Sequence, residues 1–312
     1  MSDGSPTVSV LVVSDYGGRS NEDWNYLRDT LGALRAQTFD DPFEVILVDS
    51  TPPGETMPAD VAGLVAALRV VRAAGETSCQ LLNRAVDAAS SEIVALLDGD
   101  CVPAPGWLRA GVVCLRAHPE AVAVSGRTVY PDKGFSYRVL AALSRSFIDP
   151  GGAGVTRFIS NNNAFLRRRA LLAHPLGAPP RALAARLQTE AIRIDGGTLR
   201  FEPQMRVTHR FEGWPMERRL RRNVGYRAVR VRQLDPRVPY AWMTRLGALS
   251  VPLIVAVRIL DSCRDCVRVG AQYGVRWFEL PLAFAAAIAV HLFEIGGIRT
   301  AMAEARERAP RS

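Results

Sequence analysis

The sequence predicts an α/β domain built on a mostly parallel sheet with helices on both faces, followed by a helical, basic and apolar tail. Three observations carry that prediction. Short β-branched runs alternate with helical patterns from the N-terminus onward, the rhythm of right-handed βαβ units. Two of those runs end in acidic residues, at Asp49 and at Asp98-Gly99-Asp100. Beyond residue 212 the composition shifts to an arginine-crowded stretch and two long uncharged segments.

The elements follow in order. Val8–Val13 is a continuous apolar run, which suits a strand buried on both faces. Residues 22–36 place Trp24, Leu27, Leu31 and Leu34 at helical spacing. Glu44–Val48 is a second buried strand, closed by Asp49 and the breakers Ser50-Thr51-Pro52-Pro53-Gly54. Leu68–Val71 reads as a third strand, Ser78–Ala89 as a helix, and Ile93–Leu97 as a fourth strand running into Asp98-Gly99-Asp100. Ala121–Val129 is a further strand, and Phe158–Ser160 leads into the triplet Asn161-Asn162-Asn163. Thr198–Glu202 and Arg206–His209 read as two strands separated at Pro203, which has no N–H for a ladder. In parallel sheets ligands bind beyond the carboxyl ends of the strands, so Asp49, Asp98 and Asp100 point to one shared crevice.

A length of 312 residues holds one large catalytic domain with an appendage. The expected division is 1–212, with a donor half to about residue 118 and an acceptor half to 212, and then a helical region over 213–312. No internal repeat or low-complexity segment is visible. The net charge of +8 suggests an anionic partner, although Lys133 is the single lysine and so arginine-rich a composition also follows from a GC-rich genome. The five cysteines are odd in number and irregularly spaced, which excludes a disulfide framework. Cys263 and Cys266 have CxxC spacing but no second pair to complete a zinc site, so they read as two thiols on one helix. The opening Met-Ser-Asp-Gly-Ser-Pro has neither a basic segment nor an apolar run, predicting no secretory leader and a catalytic part in the cytoplasm.

Two carboxylates flanking a glycine can share a divalent cation with the ribose and phosphates of a nucleotide. Placed after Ile-Val-Ala-Leu-Leu and before Cys-Val-Pro-Ala-Pro-Gly-Trp-Leu, the Asp98–Asp100 triplet joins a larger pattern. Val8–Tyr16, Tyr26–Phe39 with its Gln-Thr-aromatic ending, and Phe43–Ser50 resemble the opening of family-2 glycosyltransferases. Ala74–Ala89 with Asn83, then Ser91–Leu108, resembles that family's donor segment ending in the metal-binding D-x-D. Asn162-Asn163-Ala164-Phe165 with Arg167 or Arg168 is similar to its Asn-x-Ala-Phe-x-Arg signature, and Phe201-Glu202-Pro203 through His209 to the segment carrying a late histidine. The resemblance covers roughly residues 8–210.

What the resemblance implies is a GT-A fold and an inverting transfer of sugar from a nucleoside-diphosphate sugar to a hydroxyl acceptor, with Mg2+ or Mn2+ as cofactor. Ser14 and Tyr16 would line the nucleotide pocket with Asn83, and Asp49 would accept hydrogen bonds from the base or ribose. Asp98 would face the ribose and metal, Asp100 would bind the metal, and His209 would complete the coordination or touch the diphosphate. Asn162 and Asn163 would stand on the acceptor side. From the residues alone, the alternatives are Asp49 as a turn cap, His209 as a structural histidine and the Asn triplet as a turn.

The sequence departs from the family at two places. The usual Glu-Asp pair carrying the base is reduced to Thr189-Glu190-Ala191, leaving Glu190 as the candidate base and Asp195 as the second choice. Leu82 stands before Asn83 where an arginine is common. These gaps leave a catalytically degenerate nucleotide-sugar-binding protein as the alternative.

In the tail, Arg218, Arg219, Arg221, Arg222, Arg227, Arg230 and Arg232 interleave with Leu220, Val224, Tyr226, Val229 and Val231. This reads either as an interfacial helix on anionic lipid or as a solvated basic face. Leu246–Val257 and Leu280–Phe293 lack formal charge but fall short of the ~20 residues that span a bilayer. Glu279–Thr300 is similar to the C-terminal ends of membrane-associated members of the family. Association with the cytoplasmic leaflet and a lipid-linked acceptor in polysaccharide or glycolipid synthesis would follow, with a purely cytoplasmic enzyme as the alternative. A nucleotidyltransferase would need a Gly-rich phosphate loop, matched only in part by Gly17-Gly18-Arg19, and no G-x-G-x-x-G marks a dinucleotide enzyme. A nucleic-acid partner is not expected, since aromatics do not interleave with a basic stripe outside the tail.

Overall fold

A computed structural model of the chain describes residues 5–14, 24–52, 57–66, 68–177 and 181–308. Contacts divide it into two compact units, one of residues 1–129 and 148–210, the other of 130–147 and 211–312.

The first unit contains strands β1 (Val8–Ser14), β2 (Phe43–Asp49), β3 (Leu68–Arg72), β4 (Ile93–Asp98), β5 (Cys101–Pro103), β6 (Ala121–Val129), β7 (Gly154–Val155), β8 (Asn163–Arg167) and β9 (Thr198–His209). Its helices are α1 (Asn25–Arg35), α2 (Ala59–Ala62), α3 (Ser78–Ala88), α4 (Trp107–Ala117), α6 (Arg168–Ala173) and α7 (Arg181–Ile194), with α5 (Phe135–Arg145) assigned to the second unit. Among the described residues the strands form one sheet in the order β3-β2-β1-β4-β8-β6-β9-β5, with β7 pairing β9. The run β3-β2-β1-β4 is parallel, β8 is antiparallel to β4 and β6, and β6 and β9 are parallel to each other.

Burial on both faces explains the unbroken apolar runs. Val10, Val12, Val45 and Leu47 pack with Leu27, Leu31 and Leu34 of α1 and Trp107 and Leu115 of α4. The alternate positions, Leu11, Val13, Ile46 and Val48, pack with Leu81, Leu82 and Ala85 of α3 and with Ala184 and Ile192 of α7. A capping box opens α3: the Thr77 hydroxyl accepts from the Gln80 N–H, and the Gln80 side chain accepts from the Thr77 N–H at 2.9 Å.

Two expectations are corrected. Thr198–His209 is one strand rather than two, because β6 and β9 shift register between Gly126 and Arg127 and the bulge absorbs Pro203. The segment 130–147, placed by sequence with the catalytic domain, belongs to the C-terminal unit, where Tyr130 stacks on Phe211 with ring centroids 4.0 Å apart.

The second unit combines α5 with α8 (Trp214–Leu234), α9 (Ser250–Val269), α10 (Leu280–Phe293) and α11 (Ile295–Arg308). Val229, Ile254, Val255, Ile298, Ala301 and Met302 form its apolar core. Helices α8 and α11 touch backbone to backbone: a Cβ at Gly297 would lie 1.8 Å from the Arg222 carbonyl oxygen. The arginine-rich α8 is therefore a packed helix, and Arg221 is buried inside the unit. Arg221 donates to Glu217, to Glu294 Oε1 at 3.1 Å and to Ser144 Oγ at 2.7 Å. Glu294 also accepts from Arg258 Nε and Nη2 and lies 3.1 Å from His291 Nδ1. Burial alone would raise the Glu294 pKa, but Arg258 and the neighbouring hydrogen bonds outweigh it and hold the carboxyl well below its ordinary value. Cys263 and Cys266 are free thiols, and burial pushes Cys266 up to about 12, which leaves it unreactive at neutral pH.

Two outcomes follow. Gly126 has no room for a side chain, since a Cβ would lie 2.0 Å from the Met205 carbonyl oxygen and 2.7 Å from Asn163 Nδ2. Gly126→Ala should destabilise the protein by about 1–3 kcal/mol or more in chemical denaturation. Glu294→Ala takes a partner from buried Arg221 and half-buried Arg258 and should cost about 3–5 kcal/mol near pH 7. Because the folded pKa is depressed, that contribution is complete above the unfolded carboxyl's pKa of about 4.3 and is lost as pH falls below it. The stability gap between wild type and variant should therefore narrow in acid.

Candidate functional site

Register places Asp49 and Asp98 at the carboxyl ends of neighbouring strands. Ser14 pairs with Asp49 between β1 and β2, and Val13 pairs with Asp98 between β1 and β4. All three strands run in parallel and end there, so these residues stand at the carboxyl ends, where a parallel sheet collects its ligands.

The turn after β4 is held from two sides. The Gly99 N–H donates to the Val13 carbonyl at 3.0 Å, and the Thr30 hydroxyl of α1 donates to the Gly99 carbonyl at 2.9 Å. Asp98 is half-buried on this turn, and Asp100 is buried. Strand β5 then pairs antiparallel with β9 so that Cys101 stands opposite His209. Asp100 Oδ2 lies 3.6 Å from His209 Nε2, and the Cys101 thiol lies 3.7 Å from Asp100 Oδ1. The Arg210 N–H donates to the Asp100 carbonyl at 3.0 Å, locking the two segments together. Asp100, Cys101 and His209, all buried, offer ligand atoms within 4.8 Å of one another. A carboxylate oxygen, an imidazole nitrogen and a thiol sulfur in that compass suit a divalent cation.

Around this cluster, Asp49 is buried and fully engaged. Its Oδ1 accepts from the Thr51 N–H at 3.2 Å and the Thr51 hydroxyl at 2.7 Å, and its Oδ2 takes Arg72 at 2.9 Å. The turn-cap reading and the site reading of Asp49 thus describe the same residue: it closes a turn at the crevice edge and brings Arg72 there. Ser14 accepts the Ser50 N–H at 3.2 Å through its carbonyl. The Arg210 guanidinium lies over the Tyr26 ring, 3.6 Å from its centroid, a cation–π contact. Tyr16 and the partial Gly17-Gly18-Arg19 match lie outside the described residues.

Other predicted site residues are engaged in bonds within the fold. Asn163, expected on the acceptor side, is wholly buried: its Oδ1 accepts from Trp107 Nε1 at 2.8 Å, and its Nδ2 donates to the Met205 carbonyl at 3.0 Å and the Thr128 hydroxyl at 3.3 Å. That amide ties α4, β6 and β9 together, with both of its N–H donors spent inside the protein. Asn162 accepts from the Ser160 hydroxyl at 2.6 Å. Asn83, expected at the nucleotide, makes a two-way amide pair with Leu176 at 3.0 Å in each direction. Glu190 is clasped by Arg186 at 2.9 Å and Arg193 at 2.7 Å on its own helix, and exposed Asp195 pairs with His174 at 3.2 Å.

Residues missed by sequence reasoning are Cys101, Arg72 and Arg210. Arg210 and Cys101 carried a signal, as the chain neighbours of His209 and Asp100; Arg72 reaches the site through strand register. A separate open cavity of about 290 Å³, lined by Ser90, Ser91, Glu92, Arg167, Arg168, Arg169 and Leu172, sits at the opposite end of β4.

Replacing Asn163 by Ala leaves Trp107 Nε1 and the Met205 carbonyl buried without this partner. The loss should be about 2–4 kcal/mol of stability in denaturant titration, with nucleotide affinity in the folded fraction nearly unchanged.

With this geometry in place, comparisons with known proteins locate the chain. Residues 20–173 match the profile of Glycosyl transferase family 2. The fold is similar to that of the mannosyltransferase PcManGT from Pyrobaculum calidifontis in complex with GDP-Man and Mn2+, at a TM-score of 0.60 and 18% identity, over 96% of this chain and 88% of that one. It is also similar to residues 1–349 of S. aureus TarS, at a TM-score of 0.52 and 14% identity, over 98% and 93% of the two chains. The same TarS segment with UDP gives 0.50 at the same identity and coverage. At such identities the likeness speaks for the fold, which is GT-A. No curated protein matches the chain.

Proposed function

Because the chain belongs to glycosyl transferase family 2 through residues 20–173, we propose that it is an inverting glycosyltransferase moving a sugar from a nucleoside-diphosphate sugar to a hydroxyl acceptor. The observation that carries the reading is the convergence of Asp100 and His209, with Cys101, beside Asp98 at the ends of parallel strands. The neighbour solved with GDP-Man and Mn2+ and the one solved with UDP support a nucleoside-diphosphate donor.

Asp98, Asp100 and His209 would hold Mg2+ or Mn2+ in this reading, with the Cys101 thiol at its edge. Such a cation offsets the negative charge that gathers on the departing diphosphate. Ser14 and the Asp49–Thr51 turn border the donor's nucleoside end, and Tyr26 with Arg210 forms a cationic, aromatic wall near Asp100. The acceptor oxygen attacks the anomeric carbon as the bond to the diphosphate breaks, and its proton passes to a carboxylate. Glu190 is the candidate, and to accept that proton it must release an oxygen from Arg186 or Arg193.

That double clasp favours one second reading, a nucleotide-sugar-binding protein without turnover. The acceptor belongs, in the main reading, to a lipid-linked or cell-surface glycan, met on the cytoplasmic side of the membrane. The alternative is an enzyme free in the cytoplasm.

Calorimetric titration of nucleoside-diphosphate sugars with Mn2+ tests the proposal. Wild type should bind at least one, and Asp100→Ala should bind it about 30-fold or more weakly, the equivalent of roughly 2 kcal/mol for a lost charged contact. Equal affinity in the two proteins would sink the metal assignment. Donor hydrolysis or transfer that survives in wild type but falls in Glu190→Gln would exclude the binding-only reading.

A further inference from the structure

The second unit carries more exposed apolar surface than a water-facing helical bundle has reason to. Helix α9 presents Pro252, Ala256, Leu260, Arg264 and Val267 to the outside, a stripe at spacings of three and four residues. Helix α10, packed beside it, presents Pro281, Leu282, Ala285, Ile288 and Leu292 at the same spacings. Both helices turn their other faces, with Ile254, Val255, Ala283, Ala287 and Val290, into the unit. Leu260 is 68% exposed and Leu282 61%. The turn before α10 adds Trp277 at 82% and Phe278 at 55%. Exposed arginines stand at the ends of these stripes: Arg245 before α9, Arg264 and Arg268 near its end, Arg276 beside Trp277, and Arg299 beyond α10.

We infer that this face lies flat in the headgroup region of an anionic bilayer, with α9 and α10 parallel to the membrane plane and neither crossing it. The inference deepens the membrane reading of the proposed function and rests on it.

Residues 277–305 form a stretch long and apolar enough to cross a membrane by length and composition alone, and the ion cluster argues against that course. Glu294, within this stretch, is buried against Arg258 of α9 and Arg221 of α8. A crossing would separate these partners or draw α8, α9 and their charges into hydrocarbon, where unpaired charge is expensive. Helix α10 itself covers about 21 Å at 1.5 Å per residue, against a hydrocarbon core of about 30 Å. In-plane docking leaves the cluster intact, seats the apolar stripes and tryptophan among the acyl chains, and places arginine at both ends to meet lipid phosphates.

The full chain should float with vesicles of phosphatidylglycerol and phosphatidylcholine, bind phosphatidylcholine vesicles far less, and be released by alkaline carbonate. The triple variant Leu260→Ser, Trp277→Ser, Leu282→Ser replaces exposed side chains and should keep its melting temperature. It should lose vesicle partitioning by about tenfold or more. Retention after carbonate would mean a spanning segment and overturn the inference. So would equal partitioning of wild type and variant, or failure to float together with a concentration-dependent dimer that the variant abolishes. Nucleoside-diphosphate-sugar titration run in parallel separates the two readings, because a protein that binds donor but not vesicles leaves the glycosyltransferase assignment standing.

Discussion

The hold on the turn at Gly99 governs the catalytic unit. Its N–H reaches the Val13 carbonyl of β1, and its carbonyl receives the Thr30 hydroxyl of α1. Those two bonds set the direction in which the chain leaves β4, so that Asp98 stays at the mouth of the parallel strands and Asp100 swings under β9. Everything that could hold a cation depends on that departure. His209 and Cys101 become neighbours only because β5 can then pair with the end of β9.

The supporting structure around the turn is built from buried polar groups with complete partners, the condition under which such groups rigidify a core. Asn163 is the clearest case, binding a tryptophan of α4 and a bulge of β9 through one amide. The bulge exists because Pro203 has no N–H to give, and Gly126 leaves the space into which the displaced backbone moves. A residue pattern that resembles a substrate motif thus supports the wall of the site. The roles are compatible in physical terms, since a rigid wall is what a donor pocket requires.

The helical unit solves a different problem. Its inside contains glutamates and arginines at contact distance, and its outside contains leucine, tryptophan and phenylalanine. These lie beside an apolar core and exposed arginines, so the unit departs from the ordinary distribution in its buried ion cluster and its exposed apolar stripes. The buried pairs specify which helix faces meet, and glycine at positions 225 and 297 lets α8 and α11 approach to backbone contact. The apolar outside is then free to serve a non-aqueous neighbour.

The local alternation of residues determined a good deal by itself. The runs at Val8, Glu44 and Ile93 announced buried parallel strands because both faces are apolar, and acidic residues directly after two of them announced the crevice. The single strand running past Pro203, the pairing of Asn83 and the buried partners of Asn163 were hidden from the sequence for one shared reason. Each depends on what stands opposite the residue, and that partner is distant in the chain: Leu176 for Asn83, Trp107 and Met205 for Asn163, and the register of β6 for the bulge. The clasp on Glu190 lay within one helix and could have been read from Arg186 and Arg193 at spacings of four and three residues. Arg72 could not, since only strand pairing brings it to Asp49, and although Cys101 follows Asp100 in the chain, only the β5–β9 pairing sets it opposite His209. Local pattern decides which faces are apolar, but long-range pairing decides which polar atoms are already spent.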